Sequence, residues 1–378
     1  MDYSGKDVHS KSISNNKVTT KLRTFNQQSK ISVQMSRLKS YDSPLRQKYD
    51  VEKYPLASNY VFPDNIADLI PKNTPEYVDQ GQRYVERIMR ALFYFKQCAL
   101  IGPSGTGKTH IVYAVAEIAG LPLWEINCGL QTSSFDLFGR YIGLGKENWV
   151  DGQIVSWCRH GGILYLDEAN MMKQDVATRL NPLLDTRGHI VLNEKDNEII
   201  PRHPLSFVVI SMNPFSVEFA GTKPLNAAFR RRMSVWINFD YISTGSKINE
   251  SEVDLIQERS GISKELAIQM VKAAATLRTS YKKGDLPYAP SIGDLINWAK
   301  LVADGLDIYT AGEETIVSTT SDDITTQESV RRIIKSAGNP TSRPDRPSSK
   351  SSPSSDSFES PGTSETLGDS ESLETLDT

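Results

Sequence analysis

Residues Gly102 to Thr109 read GPSGTGKT, and the pattern Gly-x-x-x-x-Gly-Lys-Thr decides the fold. An apolar run, CALIG (98–102), leads into it, and a helical pattern, GKTHIVYAVAEIAG (107–120), leads out. Glycines let such a loop wrap tightly, so that its backbone N–H groups point inward at phosphate oxygens. The helix that follows adds its positive N-terminal end. In this reading Gly102, Pro103, Ser104, Gly105, Thr106 and Gly107 form the cradle. Lys108 bridges the outer phosphates, and Thr109 offers a hydroxyl to Mg²⁺.

A phosphate cradle needs a metal partner and a group to handle the attacking water. GILYLDE (162–168) supplies both. Its apolar residues bury a strand, and Asp167 and Glu168 emerge at the carboxyl end, where open parallel sheets bind their ligands. Asp167 is placed to hold Mg²⁺, largely through water. Glu168 is placed to orient or deprotonate the attacking water. A third buried strand, SFVVISMN (206–213), ends in Asn213, whose side chain is placed to reach the γ-phosphate or its water.

LPLWEIN (121–127) and VWINFD (235–240) complete a set of short apolar strands. Helical patterns such as DVATRLNPLLDTRG (175–188) lie between them. That alternation predicts a parallel sheet covered on both faces. HIVLNEKDNEII (189–200) instead alternates, breaks at a polar middle and alternates again, as an edge hairpin does. After Asp240, SEVDLIQERSG, SKELAIQMVKAAATLRTSYKKG and SIGDLINWAKLVADG read as amphipathic helices with glycine stops. The expected organisation is a basic disordered arm over 1–53, an α/β core over 54–243, a small helical domain over 244–338 and a disordered Ser/Pro-rich acidic tail over 339–378.

The formal net charge of −3 over 378 residues gives no global reason to expect nucleic acid. The three cysteines, Cys98, Cys128 and Cys158, are too scattered for a zinc site or a disulfide framework. No apolar run reaches the roughly 18 residues of a membrane span, and the N-terminus lacks the apolar centre of a secretion signal. The expectation is a soluble, cytoplasmic protein.

The order of these pieces resembles the AAA+ ATPases, and more narrowly their MoxR, CbbQ/NorQ and dynein-related (midasin-like) branch. NWVDGQIVSWCRHGGILYLDEAN (148–170) is similar to that branch's W-x-D-G-x-L…L-D-E block. RLNPLLDTRGHIVLNEKDNEIIPRHPLSFVVISMNP (179–214) is similar to its N-x-L-L-D…N-P block, LNAAFRRRM (225–233) resembles L-S-x-A-L-R-x-R-F, and PSIGDLINWAKLV (290–302) resembles a lid helix. The resemblance covers most of residues 60–305.

It implies a P-loop NTPase αβα sandwich followed by a helical lid, assembled as a homo-oligomeric ring, usually a hexamer, that uses ATP and Mg²⁺. Residues 133–153 then correspond to a hairpin insert that faces the ring's pore or its substrate, and 189–200 to the insert that precedes the Asn213 sensor. Asn213 takes the sensor role, and Asn127 matches the residue that holds Glu168 idle. Arg232 falls on the arginine that completes a neighbouring subunit's site, Arg230 matches its companion, and Arg231 has no counterpart. Gly293 stands where many relatives have a lid arginine, so that coupling needs another group; Arg278, Lys282 and Lys283 are nearby bases.

The first functional expectation is an ATPase that remodels or activates a protein client, such as one with a von Willebrand factor A domain. The rival is a nucleic-acid-associated motor resembling the McrB group, carried only by the basic arm. A third is a nucleotide-gated scaffold that turns over little.

Overall fold

The computed structural model describes residues 43–57, 60–78, 81–129, 131–143, 148–214 and 224–337. The first 42 residues of the expected arm and the expected tail lie outside the described residues. The strands are β1 (Gln97–Ile101), β2 (Leu123–Asn127), β3 (Gly139–Tyr141), β4 (Trp149–Asp151), β5 (Gly162–Asp167), β6 (His189–Leu192), β7 (Glu198–Pro201), β8 (Ser206–Met212) and β9 (Trp236–Asn238). The longer helices are α1 (Tyr84–Phe95), α2 (Lys108–Ala119), α3 (Gln153–His160), α4 (Gln174–Leu184), α5 (Ala227–Arg232), α6 (Glu250–Ser260), α7 (Lys264–Lys282), α8 (Ile292–Ala303) and α9 (Ile324–Ala337).

Five strands form one parallel sheet in the order β2-β5-β8-β1-β9. The apolar runs are continuous because both faces are covered, and the two-residue side-chain period sorts each strand between two layers. Cys98, Leu100, Ile163, Tyr165, Phe207 and Val209 face one layer, with α1 and α2. Ala99, Leu164, Leu166, Val208, Ile210 and Met212 face the other, with α3, α4 and α5. This is the αβα sandwich that the strand–helix alternation implies. β8, at the centre, is buried at every residue.

Two antiparallel hairpins project from the core. One pairs β3 with β4, and the other pairs β6 with β7, the edge hairpin that the pattern over 189–200 predicts. Arg159 at the end of α3 ties them together, bonding Asp151 of the first (2.7 Å) and Glu198 of the second (2.9 Å). Beyond β9, helices α6 to α9 enclose a separate apolar cluster built on Ile256, Met270, Leu277, Trp298 and Val330. No described helix is long and apolar enough to cross a membrane.

One boundary needs correction. Residues 43–53, assigned to the basic arm on their charge, pack on the core. Leu45 and Val51 join Tyr54 and Leu56 in the layer around α2. Ser43 Oγ donates to the buried Glu117 on α2 (2.6 Å), which also accepts from the Thr74 amide (2.8 Å). A few apolar anchors among many charges are enough when a buried carboxylate fixes the strand of chain that carries them. Leu45→Ala should therefore destabilise the protein by about 2 kcal/mol, the low end for a buried leucine because the strap can partly collapse. Chemical denaturation should show a lower midpoint at unchanged slope.

Candidate active site

The loop between β1 and α2 is held open by its own geometry. Gly105 (φ +74°) and Gly107 (φ +83°) occupy the left-handed region, where a side chain is strained. A Cβ on Gly107 would also lie 3.1 Å from the Tyr77 ring. Thr106 Oγ1 donates to the Pro103 carbonyl (2.9 Å), which closes the curve. The buried Lys108 ammonium sits inside it, donating to the carbonyls of Gly102 and Pro103 (2.7 Å each) and to Asn213 Oδ1 (3.2 Å). Burial pushes the Lys108 ammonium down to about 8, against the opposing pull of Asp167 and Glu168.

Parallel register brings the other groups to the same end of the sheet. Thr109 Oγ1 donates to Asp167 Oδ2 (3.2 Å). Asp167 also accepts from Ser211 Oγ and from the Glu168 amide (3.0 Å). The exposed Glu168 has φ +51° and ψ +44°, an uncommon conformation for a non-glycine residue, and it begins the turn Ala169–Met171. The chain thus bends sharply where the strand ends, and the Glu168 side chain leaves the strand's alternation. Lys108, Thr109, Asp167, Glu168 and Asn213 all line one cavity of about 860 Å³. Its far wall is the start of α8, including Ser291, Gly293 and Ile296.

Two residues of this cluster escaped sequence reasoning. Ser211 lies two residues before Asn213, and Tyr165, whose hydroxyl is 3.1 Å from Thr109 Oγ1, lies two before Asp167. The signal was present: a polar atom interrupts each apolar strand at the spacing that shares a face with the site residue. Tyr241 was also missed; its hydroxyl donates to the Ser104 carbonyl (3.1 Å).

Asn127 ends β2 level with Asp167 and lines a different, smaller cleft. Its carbonyl accepts from Thr132 (3.3 Å), and among the described residues no hydrogen bond joins its side chain to Glu168.

The arginine run lies elsewhere. The Gln97 amide donates to the Arg232 carbonyl, at the amino end of β1, whereas the phosphate loop starts at its carboxyl end. A five-residue strand separates them by about 16 Å. The half-buried Arg232 side chain is fixed by Asp185 (Nε, 3.4 Å) and by the Ala228 carbonyl (Nη1, 2.9 Å). Hydrogen bonds from Arg187 first, with Arg232 adding to them, hold the Asp185 carboxyl well below the usual range. Arg230 lies over the Trp236 ring, 4.4 Å from its centre, and Arg231 is exposed.

Nor do the bases proposed to stand in for a lid arginine reach the cavity. Arg278 is fully buried in an ion pair with Glu252 (2.8 Å), and Lys282 pairs with Asp240 (2.6 Å). Lys283 does not line the cavity either; the lid cations that do are Lys247, Arg259 and Lys300. Lys300 could have been found from spacing, since Gly293, Ile296 and Lys300 recur on one face of α8.

Comparison with known proteins agrees with this layout. Residues 97–233 match the AAA domain family (dynein-related subfamily), and residues 252–337 match the CbbQ/NirQ/NorQ C-terminal family. The denitrification regulatory protein NirQ of Pseudomonas aeruginosa is 32% identical over 263 residues, spanning 69% of this chain and 96% of NirQ. The chain belongs to the CbbQ/NirQ/NorQ family of AAA+ ATPases. Protein NorQ of Paracoccus denitrificans is 31% identical over 235 residues, covering 62% of this chain and 83% of NorQ. In this CbbQ/NirQ/NorQ-type ATPase the AAA match starts at Gln97 and ends at Met233, so it runs from the first core strand to the end of the arginine run. The C-terminal match covers α6 to α9, the helical lid.

Proposed function

We propose that the protein hydrolyses ATP as one subunit of a ring, by family analogy a hexamer, and uses the energy to remodel or activate a partner protein. The observation that carries this reading is the division of one reaction's parts between two ends of the sheet. The cradle, Asp167, Glu168 and Asn213 share a cavity, whereas Arg232 is fixed a strand's length away. A guanidinium there cannot reach its own subunit's phosphates, but can serve a second copy.

Thr109 and Asp167 fit a hard cation, because both present oxygen atoms and already lie within hydrogen-bond distance (3.2 Å). They would hold Mg²⁺, which when bound supplies positive charge against the phosphates. The loop amides and Lys108 bind and orient ATP. Glu168 accepts a proton from the attacking water, Asn213 positions that water, and Arg232 of a neighbouring copy stabilises charge on the γ-phosphoryl oxygens. Arg230 assists by backing the interface near Arg232, and Asn127, lining a separate cleft, takes no part in holding Glu168 in this conformation.

The two hairpins are suited to gripping a protein. Ile142 and Val150 on one and Ile199 on the other are about half exposed or more, on elements that Arg159 locks together. NirQ is described as a denitrification regulatory protein; by analogy the client here is an enzyme awaiting activation, or a von Willebrand factor A-type protein acting with it. Affinity capture tests this reading. Glu168→Gln protein, loaded with ATP, should retain a protein client that the nucleotide-binding variant Lys108→Ala does not, and should sediment as a closed oligomer. A monomer under both conditions would rule the reading out. Retention of nucleic acid instead of protein would favour the motor reading.

A further inference from the structure

The lid and the segment that leads into it from β9 touch the phosphate loop at two points. Ser291, the N-cap of α8, is so close to Gly105 that a Cβ there would lie 2.4 Å from the serine's own Cβ. On the other flank, the Tyr241 hydroxyl donates to the Ser104 carbonyl (3.1 Å). At Gly293, in the first turn of α8, an added Cβ would meet only Ser291 Oγ, at 3.4 Å.

Both points lead to one buried group. Arg278 on α7 has no exposed surface, and its guanidinium lies 5.0 Å from the centre of the Tyr241 ring. Nε donates to the carbonyl of Pro290, the residue before Ser291 (2.9 Å). Nη1 donates to the Ser243 carbonyl (3.2 Å), two residues after Tyr241, and to Glu252 Oε1 on α6 (2.8 Å). One planar cation therefore holds both backbone segments that touch the loop, and fastens them to two lid helices.

A buried ion pair is weak evidence for stability, since well-packed apolar side chains often do as well. This pair also leaves Arg278 Nη2 and Glu252 Oε2 without partners among the described residues. Its distinctive property is geometric: a rigid fork that fixes several acceptors at once, which a lysine cannot do. The exposed Lys282–Asp240 pair nearby is too solvated to do the same.

We infer that Tyr241 and Arg278 are positioning residues that transmit occupancy of the phosphate loop to the lid through the loop's backbone, a route separate from the lid cations Lys247, Arg259 and Lys300 that line the cavity. When phosphates draw the loop amides inward, the Ser104 carbonyl and Gly105 shift. Tyr241 and Ser291 follow, and Arg278 turns α6 and α7 as a unit. The inference rests on the ATPase reading only in that nucleotide fills the loop.

Tyr241→Phe removes a single hydroxyl and keeps the ring. In the full chain we would measure ADP affinity by calorimetry, steady-state ATP turnover, and deuterium uptake of α6, α7 and α8 with and without ADP. The variant should bind ADP and lose about fivefold in kcat with a smaller change in KM, the size of one ordinary hydrogen bond. ADP-induced protection of the lid helices should fall by at least half. Arg278→Lys, which keeps charge opposite Glu252 but not the fork, should show the same loss of protection. ADP-induced protection equal to wild type in Tyr241→Phe would overturn the inference. So would faster lid exchange by the same factor with and without ADP, which marks a purely structural role. Wild-type protein that bound no ADP would instead bring down the nucleotide reading itself, and this coupling with it.

Discussion

Arg232→Ala is expected to slow ATP turnover by about 10³–10⁵-fold, the range for loss of an arginine supplied across an interface. ATP affinity should change little, because Arg232 does not line the cavity that holds Lys108 and Asn213. The protein should stay folded. Phe229, Met233 and the Asn226 cap hold α5 in place, and the Arg232 side chain contributes two surface-type contacts, to Asp185 and the Ala228 carbonyl. Arg232→Lys should recover only part of the rate, because an ammonium keeps the charge and loses the planar fork.

The decisive measurement mixes inactive proteins. Arg232→Ala keeps a complete cradle with Glu168, and Glu168→Gln keeps a complete arginine. If the site is shared, combining them restores turnover wherever an Arg232→Ala cradle meets a Glu168→Gln neighbour. No restoration at any ratio, or full turnover by Arg232→Ala alone, would rule out Arg232 as the cation supplied across the interface. Asp185 offers a graded check. It holds Arg232 through Nε while bonding Arg187 more extensively, so Asp185→Asn should loosen the aim of Arg232 without removing it.

What the sequence made legible follows a physical rule. Residues that act through backbone geometry at the carboxyl ends of strands carried their own local signals. Glycine spacing marked the loop, and an apolar run ending in Asp167-Glu168 or Asn213 marked its partners. Parallel register then brought those ends together, as the pairing of Asn127 with Asp167 illustrates. Groups whose roles depend on packing between distant segments carried weaker signals. Arg278 stood out only as one of three bases near the missing lid arginine, and its full burial depends on Glu252, Ser243 and Pro290, 12 to 35 residues away in sequence. Residues 43–53 looked like part of a charged arm because composition averages hide a few anchors such as Leu45 and Val51. Tyr241 follows a strand with nothing in its neighbours to mark a contact with the Ser104 carbonyl, 137 residues earlier.

Glu168→Gln should lower kcat by about 10²–10⁴-fold, the usual contribution of a positioned general base. Nucleotide should remain bound, since Lys108, Thr109 and Asp167 are untouched. The amide has the carboxylate's shape and the same backbone demands, so stability should stay within about 0.5 kcal/mol of wild type. A second substitution separates chemistry from strain. Glu168 sits at φ +51°, a conformation that costs a non-glycine residue roughly 1–2 kcal/mol. Glu168→Gly would release that cost, offset in part by the greater freedom of glycine in the unfolded chain. Its thermal midpoint should therefore equal or exceed that of wild type, while turnover falls as far as in Glu168→Gln. A strand that ended conventionally would leave residue 168 pointing to the opposite face from Asp167. The left-handed bend is what frees the carboxylate from that alternation, beside the hydroxyl and carboxylate suited to the metal. If Glu168→Gly proved clearly less stable than wild type, the bend would be held by side-chain contacts rather than imposed against a backbone preference. If Glu168→Gln kept a tenth or more of wild-type turnover, the proton would have to leave through another group, and Asn213 with Ser211 would be the next side chains to change.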